Sequence, residues 1–133
     1  MKAVGLTNLS SMLRQFHHEN MTWVRSLDFF KQENSHLKNR LSEVVDLSAD
    51  RSFLAQAEHF QNQFIIKDEF LDQLRHDVNE QEKMLTERYQ RNGHGVDSQM
   101  QERQKKLREQ MEYLEKDFTN LKNEFNNYLT VIL

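Results

Sequence analysis

The stretch Ser52–Arg91, SFLAQAEHFQNQFIIKDEFLDQLRHDVNEQEKMLTERYQR, decides the fold of this chain. It contains no proline or glycine, and its apolar side chains recur at alternating intervals of four and three residues. This heptad pattern is typical of a long helix that packs along other helices. The seam positions are Phe53, Ala57, Phe60, Phe64, Lys67, Leu71, Leu74, Val78, Gln81, Leu85 and Arg88. At about 1.5 Å per residue the helix is roughly 60 Å long. A single helix cannot bury such a stripe, so the flanking segments are predicted to pack against it.

Both flanking segments carry the same rhythm. The first runs through Leu9, Leu13, Phe16, Asn20, Trp23, Leu27, Phe30, Asn34, Leu37, Leu41 and Val44. The last runs through Met100, Gln104, Leu107, Met111, Leu114, Phe118, Leu121, Phe125, Tyr128 and Ile132. Because short connections make consecutive helices antiparallel, we expect an up-down-up arrangement. The sequence therefore predicts an all-α fold, an antiparallel three-helix bundle with coiled-coil-like helices at about 19–46, 51–91 and 98–131.

Two breaks separate these segments. The stretch 46–50 contains residues that cap helices, and Ser48 or Asp50 is expected to begin the second helix. The stretch 92–97 contains two glycines and predicts a loop, after which Asp97 or Ser98 caps the third helix. Residues 1–18 are predicted to be an N-terminal tail or an extension of the first helix, and 19–133 to be the bundle.

Composition restricts the class of protein. A chain of 133 residues is the length of one domain, and with no proline and three glycines most of it should be helical. A net charge of −3 gives no reason to expect nucleic acid or an anionic membrane as partner. The absence of cysteine excludes disulfides and thiolate metal sites. No apolar run is long enough for a signal peptide or a membrane span, so a cytoplasmic protein is expected.

Histidines and carboxylates raise a metal-binding alternative. Glu33 and His36 have the Glu-x-x-His spacing of di-iron bundles, and His76 and Glu80 have a spacing seen in hemerythrins. With His59, these residues form the candidate ligand set of a carboxylate–histidine bundle of the ferritin or hemerythrin type. The heptad assignment places them off the seam, on positions that face solvent or a helix flank. Exposed polar residues are therefore the favoured interpretation, and no cofactor is predicted.

Large apolar residues off the seam are the main functional signal. They are Phe29, Ile65, Ile66, Phe70 and Tyr113. Phe70 flanks the seam, whereas the others occupy positions b and c, where a bundle has little reason to be apolar. Several such residues can form a patch large enough for an interface. The favoured hypothesis is a non-enzymatic structural or interaction module that forms a homo-oligomer, with a dimer expected first. Burial under a bent third helix, and an adaptor or chaperone role, stay open.

Asn20 and Asn34 occupy seam positions of the first segment. A buried amide at such a position lowers stability but fixes the register of helix pairing, so we predict a register role for Asn34. No role is assigned to Asn20. The sequence lacks a nucleophile elbow, a glycine-rich phosphate loop and a dinucleotide fingerprint, so no enzymatic activity is predicted.

The sequence resembles two groups of known proteins. The run from Ala57 to Ile66, AEHFQNQFII, preceded by the pattern Trp23-x-x-x-Leu27-x-Phe29-Phe30-Lys31, resembles a group of small uncharacterised bacterial helical-bundle proteins. The resemblance extends from Glu19 to the C-terminus and implies a helical bundle but no activity. The three-helix layout with a tryptophan in the first helix is also similar to a spectrin repeat, although the loop lengths and the second seam tryptophan of that family are not matched.

Overall fold

A computed structural model describes the backbone of residues 2–47, 50–92 and 96–132, and the side chains of 11–47, 50–90 and 96–132. The chain forms three helices: α1 at Lys2–Leu47, α2 at Arg51–Asn92 and α3 at Ser98–Ile132. These described ranges contain no strand, and the predicted all-α fold is confirmed. Since α1 begins at Lys2, the residues from there to His18 belong to the helix and do not form a separate tail.

Contacts divide the chain into two compact units, each built from one segment of every helix. Unit 1 comprises the chain up to Leu27 together with Gln73–Glu112. Unit 2 comprises Asp28–Asp72 together with Tyr113–Leu133. Within either unit, the three helical segments must cover one another's apolar stripe, because each segment is polar on its remaining sides.

The direction of the helices is clear from paired contacts in unit 2. Lys31 of α1 contacts Asp72 of α2, and the later residue Lys38 contacts the earlier residue Asp68, so these helices are antiparallel. The ring pairs Phe53–Tyr128 and Phe70–Tyr113 give the same relation between α2 and α3. Between α1 and α3 the residue numbers rise together, from the Phe30–Phe118 contact to the Glu33–Lys122 contact, so these two helices are parallel. The predicted up-down-up three-helix bundle is confirmed.

The core of unit 2 is dominated by aromatic rings from α2 and α3. The Phe60 ring centroid lies 5.0 Å from that of Tyr128 and 5.3 Å from that of Phe125. Phe64 meets Phe125 edge to face at 5.2 Å and 87°. The Tyr128 hydroxyl donates a 2.8 Å hydrogen bond to the Phe53 carbonyl oxygen, and burial raises the pKa of that hydroxyl. Such edge-to-face pairs stabilise a core beyond the area they bury.

The seam assignments agree with burial for most of the described side chains, and the exceptions, which are partly buried, are Leu13, Phe30, Arg88 and Ile132. All eight apolar seam residues of α2 are buried, as are the seam residues of α3 from Met100 to Tyr128. In unit 1, a smaller apolar cluster joins Phe16 and Leu85 to Val96 and Met100. Five of the six polar seam residues are buried as well: Asn20, Asn34, Lys67, Gln81 and Gln104. The heptad pattern therefore identifies both the apolar core and its polar interruptions.

Aspartates begin the second and third helices. The Asp50 carboxylate accepts a 2.9 Å hydrogen bond from the Ser52 amide, and its carbonyl accepts the first helical bond, from Leu54. Asp97 makes the equivalent contacts with the amides of Met100, at 2.8 Å, and Gln101. These are N-caps, which satisfy amides that the helix cannot pair internally. Of the predicted alternatives, Asp97 is the cap of α3 and Ser98 is not, whereas Ser48 lies outside the described residues.

Replacing the cap of α3 should destabilise the protein. Asp97→Ala is expected to lower the free energy of unfolding by about 1 kcal/mol, because it leaves an N-terminal amide of α3 without its acceptor. Asp97→Ser restores an oxygen acceptor and should recover most of this loss. Urea unfolding followed by circular dichroism measures both. Ser98→Ala is the control and should change stability little; a larger loss for Ser98→Ala than for Asp97→Ala would contradict the assignment.

Candidate functional site

The off-seam apolar residues that the sequence singles out all lie in unit 2. Four have large exposed fractions: Phe29 58%, Ile65 45%, Ile66 52% and Tyr113 61%. Phe70 is partly buried. Scattered exposed apolar residues are normal on protein surfaces, so the decisive question is which of these side chains lie together.

Three of them form one surface across α2 and α3. The rings of Phe70 and Tyr113 meet edge to face, with centroids 6.2 Å apart and planes at 71°. Ile66 lies one turn before Phe70 on α2, a spacing that places two side chains beside each other on a helix surface. Ile66, Phe70 and Tyr113 therefore make a continuous apolar patch, which we call the α2/α3 patch.

The remaining two residues face other sides of unit 2. Phe29 lies one turn before Glu33 on α1, and Glu33 pairs with Lys122 of α3, which places Phe29 on the side where α1 meets α3. Ile65 lines a groove between α1 and α2. Although Ile65 and Ile66 are adjacent in sequence, they are turned about 100° apart around the helix axis and cannot share a face. The five predicted residues are thus divided among three sides of unit 2.

The groove between α1 and α2 is a feature that the sequence interpretation missed. It has a volume of about 570 Å³, and Val45, Leu54 and Ile65 line it together with the buried side chains of Leu41 and Ala57. Its polar rim includes Lys38, Ser42, Asp46, Glu58 and Gln61. The available signal was the interval of eleven residues between Leu54 and Ile65, which is three helical turns and places both on one side of α2.

Asn34 is fully buried and connects α1 to α2. Its amide nitrogen donates to the Phe64 carbonyl oxygen at 2.9 Å and to an Asp68 carboxylate oxygen at 2.8 Å. Lys38 and Lys31 also contact the Asp68 carboxylate. Among the described residues no donor reaches the side-chain oxygen of Asn34, so this amide is satisfied on one side only. These contacts are what a register role requires, and that role stays a prediction.

The Asp68 carboxyl titrates abnormally because of this cluster. Burial raises its pKa, but hydrogen bonds from Lys38, Asn34 and Lys31 outweigh burial, so the net pKa lies below the ordinary value of 3.8. The ionised carboxylate therefore stabilises the folded state. That stability is fully present above the unfolded-state pKa and is lost as pH falls through the lower folded-state pKa.

A second buried charge lies between α2 and α3. Lys67 occupies a seam position, its side chain is 9% exposed, and its ammonium group contacts the Asp117 carboxylate. Burial lowers the pKa of Lys67, because removal from water disfavours the charged form. The contact with Asp117 places an opposite charge beside the ammonium group. The side of α2 that carries Lys67 therefore presents a neutralised pair.

Unit 1 contains a buried polar layer that joins all three helices. Gln104 donates from its amide nitrogen to the Asn20 side-chain oxygen at 2.9 Å, and its own oxygen accepts from Gln81 at 3.2 Å. Asn20 in turn donates to Glu82 at 2.9 Å. Glu19 accepts two hydrogen bonds of 2.8 Å from the Arg108 guanidinium, and these raise the pKa of Arg108. The layer gives Asn20, to which the sequence assigned no role, contacts with both other helices.

The candidate metal ligands do not lie in the bundle core. His36, His59, His76 and Glu80 are exposed, and Glu33 pairs with Lys122. Among the described residues, no three histidine or carboxylate side chains are close enough to hold a metal ion together. The metal-binding alternative stays a prediction, and metal analysis of the purified protein tests it.

Comparisons with known proteins give no relative from which a function can be transferred. No family model matches the sequence, and no match is found among curated proteins or among solved structures. The resemblances to bacterial helical-bundle proteins and to spectrin repeats therefore stay untested. Within the described parts of the three helices, no segment is both long and apolar enough to span a membrane.

The pKa of Asp68 predicts a specific change in acid stability. Asp68→Asn should lower the free energy of unfolding near neutral pH, and the difference from the wild type should shrink as pH falls below about 4. There the unfolded-state carboxyl binds a proton first, and the native carboxyl, whose pKa is lower, binds one only at still lower pH. Urea unfolding across this pH range measures the effect. Asp72→Asn is the matched control, since Asp72 also contacts Lys31 but is largely exposed. Equal pH dependence of the two variants would contradict the prediction.

A register role predicts opposite effects on stability and on uniqueness of the fold. Asn34→Leu is expected to raise the free energy of unfolding by an amount on the order of 1 kcal/mol, because it removes a half-satisfied buried amide. It should also permit alternative helix pairings, visible as additional amide peaks in NMR spectra. Asn39→Leu, at an exposed position of α1, should do neither. A single peak set for Asn34→Leu, identical in dispersion to the wild type, would remove the register role.

Proposed function

We propose that this protein is a non-enzymatic structural module that self-associates, as a homodimer in the first instance, through exposed apolar side chains of unit 2. The observation that carries the proposal is the exposure of Phe29, Ile65, Ile66 and Tyr113. Each is a large apolar side chain at a position that a monomeric bundle has no need to make apolar. The proposed compartment is the cytoplasm.

Burial of these side chains would supply part of the free energy of association. Covering a fully exposed large apolar side chain is worth about 1.5–3 kcal/mol, whereas a micromolar dissociation constant requires about 8 kcal/mol beyond the entropy lost on association, so the surrounding contact surface supplies the rest. Aromatic residues are enriched at the centre of interfaces because a rigid ring buries a large area while losing little rotamer freedom. Phe29 and Tyr113 both have this character.

The surrounding surface supports a protein partner over other ligands. Lysine side chains of α1 pair with an aspartate of α2, and Glu33 of α1 pairs with Lys122 of α3. Such mixed, paired charge resembles the polar rim of an interface. The net charge of −3 gives no reason to expect nucleic acid as the partner.

Sedimentation velocity over a concentration series tests the proposal. The wild type should show a reversible shift from monomer to dimer as concentration rises, and the double variant Phe29→Lys, Ile66→Lys should remain monomeric at concentrations where the wild type is dimeric. A control variant, Gln32→Lys, Asn62→Lys, adds the same charge at exposed polar positions and should dimerise like the wild type. A wild type that stays monomeric at all concentrations would refute self-association.

A further inference from the structure

We infer that the contact between His17 of α1 and Glu82 of α2 is a pH-sensitive link within unit 1. It holds the two helices together most firmly when the imidazole is protonated and loosens when the imidazole is neutral. The inference does not depend on self-association, because both side chains belong to one chain.

The two units contain the same set of contacts between helices. In each, a buried asparagine of α1 donates to a carboxylate of α2, a basic side chain three residues earlier contacts that carboxylate, and the glutamate just before the asparagine pairs with α3. In unit 1 the contacts are Asn20 with Glu82, His17 with Glu82 and Glu19 with Arg108; in unit 2 they are Asn34 with Asp68, Lys31 with Asp68 and Glu33 with Lys122. The two sets are displaced by two heptads along every helix. Unit 2 therefore serves as an internal reference for unit 1.

The two sets differ in the charge that faces the α2 carboxylate. In unit 2 the carboxylate contacts the ammonium groups of Lys31 and Lys38, which stay protonated throughout the neutral pH range. In unit 1 the position equivalent to Lys38 is Val24. Among the described contacts of Glu82, His17 therefore supplies the only basic group. An imidazole ordinarily titrates near pH 6.5, so the charge of this contact depends on pH.

Glu82 is positioned to favour a charged partner. Its side chain is 17% exposed, and its second carboxylate oxygen accepts a 2.9 Å hydrogen bond from Asn20. His17 is 57% exposed and can exchange protons with water. A hydrogen bond between two charged groups is about twice as strong as a neutral one. Lys83 follows Glu82 but is exposed and turned about 100° away around the helix axis.

The other charged and titratable groups near His17 have weaker effects. On α1, Arg14 lies one turn earlier and His18 is the next residue, and both are exposed. Water screens their repulsion of an imidazolium. From α3, Arg108 pairs with Glu19, which neutralises both. The carboxylate on α2 is therefore the dominant partner of His17.

The sign of the pH effect follows from these contacts. The protonated imidazole gains a charge-assisted hydrogen bond in the folded chain, so this stabilisation is present at pH values below the titration of the imidazole and is lost as pH rises through it. In unit 2 the lysines keep their charge over the same range. Between mildly acidic and mildly alkaline pH, unit 1 should therefore loosen relative to unit 2.

Amide hydrogen exchange read by NMR tests the inference. Protection factors, which remove the intrinsic pH dependence of exchange, are compared at about pH 5.5 and about pH 7.5. In the wild type, amides near His17 and Glu82 should lose about two- to threefold in protection relative to unit 2 as pH rises. His17→Lys gives unit 1 the basic residue that unit 2 has, and should make the two units respond equally to pH.

Two further variants separate a pH-sensitive link from a merely structural contact. His18→Lys adds the same charge at the next, exposed position and should keep the wild-type pH dependence. Glu82→Gln keeps an oxygen acceptor for Asn20 but removes the carboxylate, and should abolish the pH dependence. A structural contact alone would lower protection in Glu82→Gln equally at both pH values without changing its pH dependence.

The inference fails if the two units of the wild type respond equally to pH. It also fails if His17→Lys keeps the wild-type pH dependence, or if His18→Lys removes it. Circular dichroism confirms that each variant is folded at both pH values.

Discussion

The structure depends on one constraint: every helix has a single apolar stripe, and no helix can bury its own. Three segments that share the heptad period satisfy the constraint mutually, and most of the described seam residues are accordingly buried. Each large apolar side chain that leaves the seam for water costs about 1.5–3 kcal/mol. A slip of one residue rotates the stripe by about 100° and would expose it along the whole segment, so the rotation of each helix about its axis is strongly specified.

The apolar stripe alone does not specify axial register, because a slip of seven residues returns apolar side chains to apolar positions. We predict that buried polar residues remove that freedom. In unit 1, a heptad slip would separate Gln81 from Gln104, and in unit 2 it would take Asn34 away from Asp68. Each separated group would then be buried without its partner, at a cost of about 1–3 kcal/mol. The polar layers therefore penalise the alternatives that the heptad pattern permits.

The sequence predicted the helices, the seam and the buried amides because these depend on spacing along one chain. It could not assign the sides of the bundle on which Phe29, Ile65 and Ile66 lie. A heptad position gives the angle of a side chain about its own helix, but whether that angle faces the second or the third helix depends on the hand in which the helices are arranged. The groove lined by Leu54 and Ile65 was missed for the same reason, since it exists only where two helices meet.

Lys67 shows how the buried polar residues and the exposed apolar patch are connected. As a seam residue it lowers stability, because burial disfavours its charged form, and a methionine would fill the same space without that cost. Its ammonium group, however, neutralises Asp117 on the side of α3 that carries Tyr113. Without Lys67, the Asp117 carboxylate would be an unpaired charge beside an apolar surface, and covering that surface would require its desolvation. If the proposed self-association uses this surface, the buried lysine lowers the stability of the single chain but reduces the cost of covering that surface.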